Sequence, residues 1–226
     1  GDCSADVVSS TVPCSTKWMK GTVNSFYIGI IATVIATALG TLAALGLSRP
    51  HMPYKGLIMA ILISPMIVPL IITAAGMFFF YARINLVYTF TGVILAHVAL
   101  ATPFVVITVT ATLVGFDMNM VKAAQSLGAK PIRTFFKVIM PLILPGIISG
   151  ALFAFITSFD EVVIVMFMAS IDQLTIPKQM WAGIRQEISP VILCMATCLV
   201  LLSIFLLTTV ELLRRRSEKL RGIKAR

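Results

Sequence analysis

Five apolar stretches constrain the fold of this chain more than any other feature. They cover residues 24–47, 56–80, 92–114, 142–168 and 190–213. An α-helix needs about 20 residues to cross the hydrocarbon core of a bilayer, and each stretch is about that long or longer. The segments between them are too short to hold a soluble domain. The sequence therefore predicts an all-α integral membrane protein with five transmembrane helices.

The composition agrees with lipid as the surrounding solvent. Of the 226 residues, 58% are hydrophobic and only 12% are charged, whereas soluble domains are about 25% charged. The net charge of +9 raises the question of nucleic-acid binding. The basic residues, however, cluster between the apolar stretches, which is the pattern of membrane topology. We therefore predict that the chain is surrounded by membrane lipid and does not bind nucleic acid.

The positions of Lys and Arg predict the orientation. If the C-terminus is cytoplasmic, thirteen of the 18 basic residues lie inside and five outside. The five outside are Lys17, Lys20, Arg83, Lys178 and Arg185. Because basic residues accumulate on the cytoplasmic side, residues 214–226 are predicted to be a basic cytoplasmic tail. Five spans then leave residues 1–21 outside, and these carry no apolar signal segment. We therefore expect a further helix before them and six spans in the native protein.

An amphipathic interruption at residues 121–145 separates the third and fourth stretches. Two short helices are predicted in it, joined at Gly128. Glycine suits the left-handed position that ends a helix, and Pro131 suits the first turn of the next. Since the basic residues place this elbow in the cytoplasm, we predict that a partner protein binds it.

Prolines and small residues mark where helices bend or pack closely. Pro65 and Pro69 are predicted to interrupt the second span and Pro103 the third. Either the helices bend around a pathway that satisfies the freed carbonyls, or each proline is a simple kink that improves packing. Close-packing seams are predicted from two sets of small residues, namely Ala36, Gly40 and Ala44, and Gly146, Gly150 and Ala154.

Three polar residues, Ser158, Asp160 and Glu161, lie late in the fourth stretch and are the candidate residues of a substrate pathway. An ionised carboxylate inside a membrane has to face water, a cation or a partner, because it is costly in hydrocarbon. Glu161 continues the seam of Gly146 and Gly150 and is predicted to face another helix. Asp160 lies about 100° away and is the better candidate for a substrate pathway. Alternatively, both acids pair with basic residues.

A short helix is predicted in residues 171–190, on the outer surface. Pro177 marks its start, Trp181 and Ile184 share one face, and Arg185 follows. It is either an interfacial anchor or a docking surface for an extracytoplasmic protein.

The chain contains no motif of a hydrolase, a zinc protease or a phosphate-binding loop. Neither histidine has metal-ligand spacing, so no metal site and no cofactor are predicted in this chain. If ATP drives transport, the ATPase is a separate chain that holds ATP and Mg²⁺.

The elbow resembles the cytoplasmic signature of bacterial ABC-importer permease subunits. The matching residues are Ala123, Ala124, Gly128, Ala129, Pro141 and Pro145. Lys122 departs from the pattern, which usually has Glu in contact with the ATPase. The segments SFDEVVIVMFM at 158–168 and LTIPKQMWAGIRQEISP at 174–190 resemble the spermidine/putrescine type. The resemblance covers about residues 22–213.

The resemblance implies a permease subunit of the bacterial inner membrane. Its expected partners are two ATPase subunits, a second permease and a periplasmic substrate-binding protein. Polyamines are the expected substrate; ferric iron, an aminophosphonate or another amine or amino-acid compound are alternatives. A secondary transporter or channel without an ATPase is the alternative class, which would show an internal repeat rather than an elbow.

Overall fold

The computed structural model describes residues 12–49, 52–114, 119–186 and 190–220, and all regular structure in these ranges is helical. The helices are α1 Val12–Leu47, α2 Lys55–Ile67, α3 Leu70–Arg83, α4 Phe90–Val114, α5 Asn119–Ser126, α6 Pro131–Thr134, α7 Met140–Phe159, α8 Val163–Met168, α9 Ile176–Gln186 and α10 Pro190–Leu220. A π-helical turn, Phe135–Ile139, joins α6 to α7. The predicted all-helical class is confirmed.

Three segments within the described ranges are long and apolar enough to cross a membrane: Trp18–Leu47, Phe90–Val114 and Pro131–Phe159. The pair α2 and α3 makes a fourth if the two helices form one bent span. In α10 the segment Ile192–Phe205 is apolar but shorter. The predicted number of five spans stays a prediction.

The core is a bundle of α1, α4 and α7, which pack against one another along most of their lengths. Small residues allow this close approach. A Cβ added to Gly40 of α1 would lie 2.7 Å from the Val105 Cβ of α4. A Cβ added to Gly150 of α7 would lie 2.5 Å from the Thr108 Oγ1 of α4. Both predicted seams are therefore helix contacts.

The second predicted span, 56–80, is not one continuous helix. It is bent by 104° between α2 and α3. Val68 has extended backbone angles, φ −71° and ψ 137°, as a residue before proline prefers, and Pro69 has no N–H to continue the ladder. Pro65 lies inside α2, where the Ser64 hydroxyl donates to the Ile61 carbonyl at 2.8 Å.

Pro103, by contrast, does not interrupt the third span, and this prediction was wrong. Helix α4 runs unbroken from Phe90 to Val114, and Pro103 is buried in it. The neighbouring helices α1 and α7 both pack against α4. The Thr102 hydroxyl donates to the Val98 carbonyl at 2.6 Å. Neighbouring helices and threonine hydroxyls are what make a proline tolerable in such a helix.

The fourth predicted span, 142–168, has different bounds. The second elbow helix is continuous with it, because α6, the π turn and α7 form one helical segment, Pro131–Phe159. Pro141 lacks an N–H, and just before it the Met140 N–H bonds the Phe135 carbonyl, five residues back. The segment ends at Phe159, so residues 160–162 are a break and α8 is a separate helix. Similarly, α1 begins at Val12, inside the predicted extracytoplasmic segment 1–21.

Candidate functional site

The break between α7 and α8 holds the two acidic residues in different environments. Asp160 is the C-cap of α7, where its N–H donates to the Ile156 carbonyl at 3.0 Å, and the residue is exposed. The C-terminus of a helix carries partial negative charge from its unpaired carbonyls. The Asp160 carboxylate therefore lies beside another negative centre and has no basic partner within the described residues. This position favours a cation.

Glu161 is instead buried, with only 7% of its surface exposed. Its Oε1 accepts the Ile164 N–H at 2.9 Å, at the start of α8. A carboxylate is favourable there, because the first amides of a helix have no partner within it. Glu161 does not continue the α7 seam, since α7 has already ended at Phe159.

Ser158 lies in the packing between α4 and α7 and is 5% exposed. Its Oγ is 2.7 Å from Nδ1 of His97, which is itself 1% exposed. The other ring nitrogen of His97, Nε2, has no partner among the described residues. The sequence singled out both residues without placing them together.

Lys178 of α9 lies at the opposite end of α8. Its Nζ donates to the carbonyls of Val165 at 3.1 Å and Ala169 at 3.0 Å. An ammonium group is favourable at a helix C-terminus. Burial lowers the pKa of the Lys178 ammonium from its ordinary value. The Glu161 carboxylate and the Lys178 ammonium thus hold the two ends of α8.

The start of α9 is attached to α1 by two polar side chains. Ser25 Oγ accepts the Ile176 N–H at 2.9 Å. Asn24 Nδ2 donates to the carbonyls of Asp172 at 2.8 Å and Leu174 at 3.0 Å. These bonds fix the loop before α9 to the first turns of the apolar part of α1.

The three residues predicted for docking separate into two groups. Pro177 is buried in the first turn of α9, where it sets the helix start. Trp181 and Arg185 are exposed, as is Ile184 on the same helix. An accessible face of α9 thus carries an aromatic, an aliphatic and a basic side chain.

The elbow has the predicted backbone. Gly128 has φ +79°, its N–H donates to the Gln125 carbonyl at 2.9 Å, and the Ala129 N–H donates to the Ala124 carbonyl at 3.1 Å. This is the Schellman arrangement that closes a helix with a left-handed residue. Pro131 then opens α6 after the N-cap Lys130.

The elbow leaves its apolar side chains uncovered. Leu127 is 89% and Ile132 74% exposed. Lys122, Ala123 and Pro141 are also exposed, and Ala124, Ala129 and Pro145 are half-buried. The elbow and the acidic break lie at opposite ends of α7, whose 20 residues span about 30 Å.

Three polar side chains that hold α8 and α9 are not predicted from the sequence. It shows Lys178 only as a basic residue outside the membrane, and Asn24 and Ser25 only as the start of an apolar stretch. Their positions in the sequence could have indicated this role, because polar side chains at the edge of an apolar stretch need hydrogen-bond partners nearby. No group of three or more metal-ligating side chains lies together in the part of the chain that the structure describes.

Comparisons with known proteins agree on one family. Residues 25–219 match the family model described as the binding-protein-dependent transport system inner membrane component. The spermidine/putrescine transport system permease protein PotC of Haemophilus influenzae is 29% identical over 200 residues, which are 88% of this chain and 78% of that protein. The putrescine transport system permease protein PotI of Escherichia coli K12 is 28% identical over 212 residues, covering 86% of this chain and 75% of that protein.

Solved structures show the same fold. The inward-facing MetNI methionine ABC transporter matches with a TM-score of 0.68 at 18% identity, over 96% of this chain and 100% of that one. An amino acid ABC transporter solved with histidines matches with a TM-score of 0.67 at 17% identity, over 91% and 96% of the two chains. At these identities the likeness shows the fold alone.

Proposed function

We propose that this chain, which belongs to the family of binding-protein-dependent transport system inner membrane components, carries polyamines through the membrane. Membership makes it the inner-membrane permease of an ABC importer. The proposal adds the substrate, the roles of the two ends of α7 and the partners that act on them. Its curated relatives bear the names of spermidine/putrescine and putrescine permeases.

The position of Asp160 carries the substrate proposal. An exposed carboxylate lies at the negative end of α7, next to a second carboxylate. Polyamines at neutral pH are chains of ammonium groups, each a donor that carries positive charge. Such a group fits a site where a carboxylate and helix-end carbonyls converge. A negatively charged substrate would be repelled there.

The elbow is the proposed contact with the ATPase. Leu127 and Ile132 are apolar and exposed, whereas side chains of this kind are normally covered by a partner or by lipid. We propose that α5 seats in a groove of a cytoplasmic ATPase, one of two that hold ATP and Mg²⁺ on their own chains. Lys122, Ala123 and Ala124 lie on the seated helix, and Gly128 with Ala129 makes the turn. Pro141 and Pro145 lie where the motion would enter α7.

The exposed face of α9 is the proposed docking surface for a periplasmic binding protein. Trp181 and Arg185 are residue types that are enriched at protein interfaces. A second permease subunit would cover part of the remaining apolar surface. This arrangement puts the elbow in the cytoplasm, together with the C-terminus, and the acidic break near the periplasm.

An uptake assay tests the substrate proposal. The chain is reconstituted in vesicles with its second permease, ATPase and binding protein, and uptake of labelled spermidine and putrescine is measured. Asp160→Asn is expected to lower uptake at subsaturating substrate by about tenfold or more, since a hydrogen bond to a charged group contributes about 1.5–3 kcal/mol. The matched control is Asp172→Asn, an exposed acid at the same end of the bundle.

Three outcomes would contradict the proposal. Equal uptake by Asp160→Asn and the wild type would remove Asp160 from the pathway. Uptake of ferric iron, an aminophosphonate or an amino acid, with no polyamine uptake, would replace the substrate. Uptake that needs no ATPase would place the chain in the alternative class of secondary transporters.

A further inference from the structure

The short helix α8 is held in place by other elements rather than by its own stability. Its six residues are far fewer than the roughly 12–15 that an isolated helix needs. Ile164, Val165 and Met168 are buried in the bundle. The Met168 carbonyl also accepts the Tyr88 N–H at 2.9 Å, in the loop before α4. As a result, α8 cannot shift without breaking contacts to several elements.

The ends of α8 connect two different places in the molecule. Its N-terminal amides bond Glu161, which directly follows Asp160 and α7. Its C-terminal carbonyls bond Lys178, which belongs to α9. Because both bonds are charge-assisted, each is stronger than an ordinary hydrogen bond. The route from α9 to Asp160 therefore runs through one small helix with a charged side chain at each end.

The start of α9 is also attached to α1, so a partner that binds further along α9 acts on a helix with one fixed end. Ser25 and Asn24 of α1 hold the loop and the first amide of α9. The exposed Trp181 and Arg185 lie beyond that fixed point, further along α9. A partner that binds Trp181 and Arg185 would tilt α9 about its fixed start. Lys178 lies between that start and Trp181, so its ammonium group would pull on the last turn of α8.

We propose that α8 is a strut that transmits binding-protein docking on α9 to the Asp160 carboxylate, with Lys178 and Glu161 as its positioning residues. This inference rests on the proposed function. It assigns to Lys178 and Glu161 a role in coupling rather than in contacting substrate. It predicts that a variant without the Lys178 ammonium group still binds the binding protein normally. In that variant, binding no longer stimulates ATP hydrolysis.

The test measures ATPase activity of the reconstituted complex as a function of binding-protein concentration. Lys178→Met is expected to leave basal ATPase activity and the half-saturating binding-protein concentration within about twofold of wild type. It should lower the stimulated rate by about tenfold, because two hydrogen bonds to a charged donor are lost. Lys178→Arg, which keeps a charged donor, should restore most of the stimulation. Trp181→Ala should instead raise the half-saturating concentration.

Further variants keep the test decisive if Lys178→Met assembles poorly. Glu161→Gln retains an oxygen acceptor for the Ile164 amide but loses the charge, so stimulation should fall by a few-fold, in line with about 0.3–1 kcal/mol for a charge at a helix end. Lys20→Met, at an exposed lysine of α1, is the control and should match wild type. Wild-type stimulation in both Lys178→Met and Glu161→Gln would overturn the strut.

Loss of basal and stimulated activity in the same proportion in Lys178→Met, without rescue by Lys178→Arg, would also overturn it. A wild-type complex that neither takes up polyamine nor responds to the binding protein is a failure of the proposed function. The two failures are therefore distinguishable.

Discussion

Burying a polar side chain costs free energy unless it is hydrogen-bonded, and His97 and Ser158 are two such buried side chains. Nδ1 of His97 and Oγ of Ser158 are hydrogen-bonded at 2.7 Å between α4 and α7. Ser158 lies two residues before Asp160, so this hydrogen bond fixes the last turn of α7 against α4. Both side chains are buried, and we expect the hydrogen bond between them to help hold the acidic break in place.

Ser158→Ala is expected to destabilise the protein because it leaves both nitrogens of the buried His97 ring without a partner. Hydrogen bonds between transmembrane helices average about 0.6 kcal/mol and reach about 1.7 kcal/mol. The upper value is expected here, since the orphaned ring cannot reach water. The measurement is the apparent unfolding midpoint in detergent, with Thr157→Ala in the same turn as control. Equal midpoints for the two variants would contradict the assignment.

Among the elements, the elbow is the one whose form follows most directly from the sequence. Gly128 lies four residues after Ala124 in an amphipathic segment, and Lys130 and Pro131 follow it. The glycine specifies the end of one helix, and the proline specifies the start of the next. The structure has a left-handed Gly128 and a Schellman closure at these positions. Among the residues that the structure describes, none beyond its chain neighbours would contact a side chain at Gly128, so the sequence around the turn is enough to specify it.

Two substitutions of Gly128 distinguish the effect of its backbone conformation from the effect of side-chain contacts at this position. Apart from Gly128 itself and its two chain neighbours, no heavy atom of the described residues lies within 4 Å of a Cβ built at this position, and φ is +79°. Gly128→Asn should therefore retain transport, because asparagine tolerates the left-handed region. Gly128→Pro should abolish it, because proline is fixed near φ −65°. The readout is ATP-dependent uptake together with ATPase retained on co-purification. Uptake by Gly128→Pro at the wild-type rate would exclude the elbow as the coupling element.

The bent and broken helices follow less directly from the sequence. Apolar length predicts how much chain lies in the membrane, but not whether it forms one helix. Pro69 and Pro103 look alike in the sequence, yet the chain bends by 104° beside Pro69 and remains one continuous helix through Pro103. The difference is packing: α4 packs against both α1 and α7, whereas none of the residues of α2 is buried. The role of Lys178 was hidden for a similar reason, since it depends on where α8 ends.

At the scale of the whole molecule, α7 connects two ends with different chemistry. One end carries the exposed apolar elbow, and the other carries the acidic break, the short helix α8 and the exposed face of α9. An importer of this kind has to switch which end is open. Moving a two-state equilibrium from 1:99 to 99:1 takes about 5.5 kcal/mol of differential binding. We expect ATPase closure at one end and binding-protein docking at the other to share that free energy.

This arrangement requires the elbow and α9 to face opposite sides of the membrane. Single cysteines test it in a variant whose four natural cysteines are replaced by serine. Leu127→Cys and Ile171→Cys are suitable because these side chains are 89% and 85% exposed. A membrane-impermeant maleimide should label Ile171→Cys from the periplasmic side of intact spheroplasts and Leu127→Cys only in inside-out vesicles. The basic residues favour this orientation, since thirteen of 18 then lie in the cytoplasm. Labelling of both cysteines from the same side would contradict the topology, and the elbow could then not be the ATPase contact.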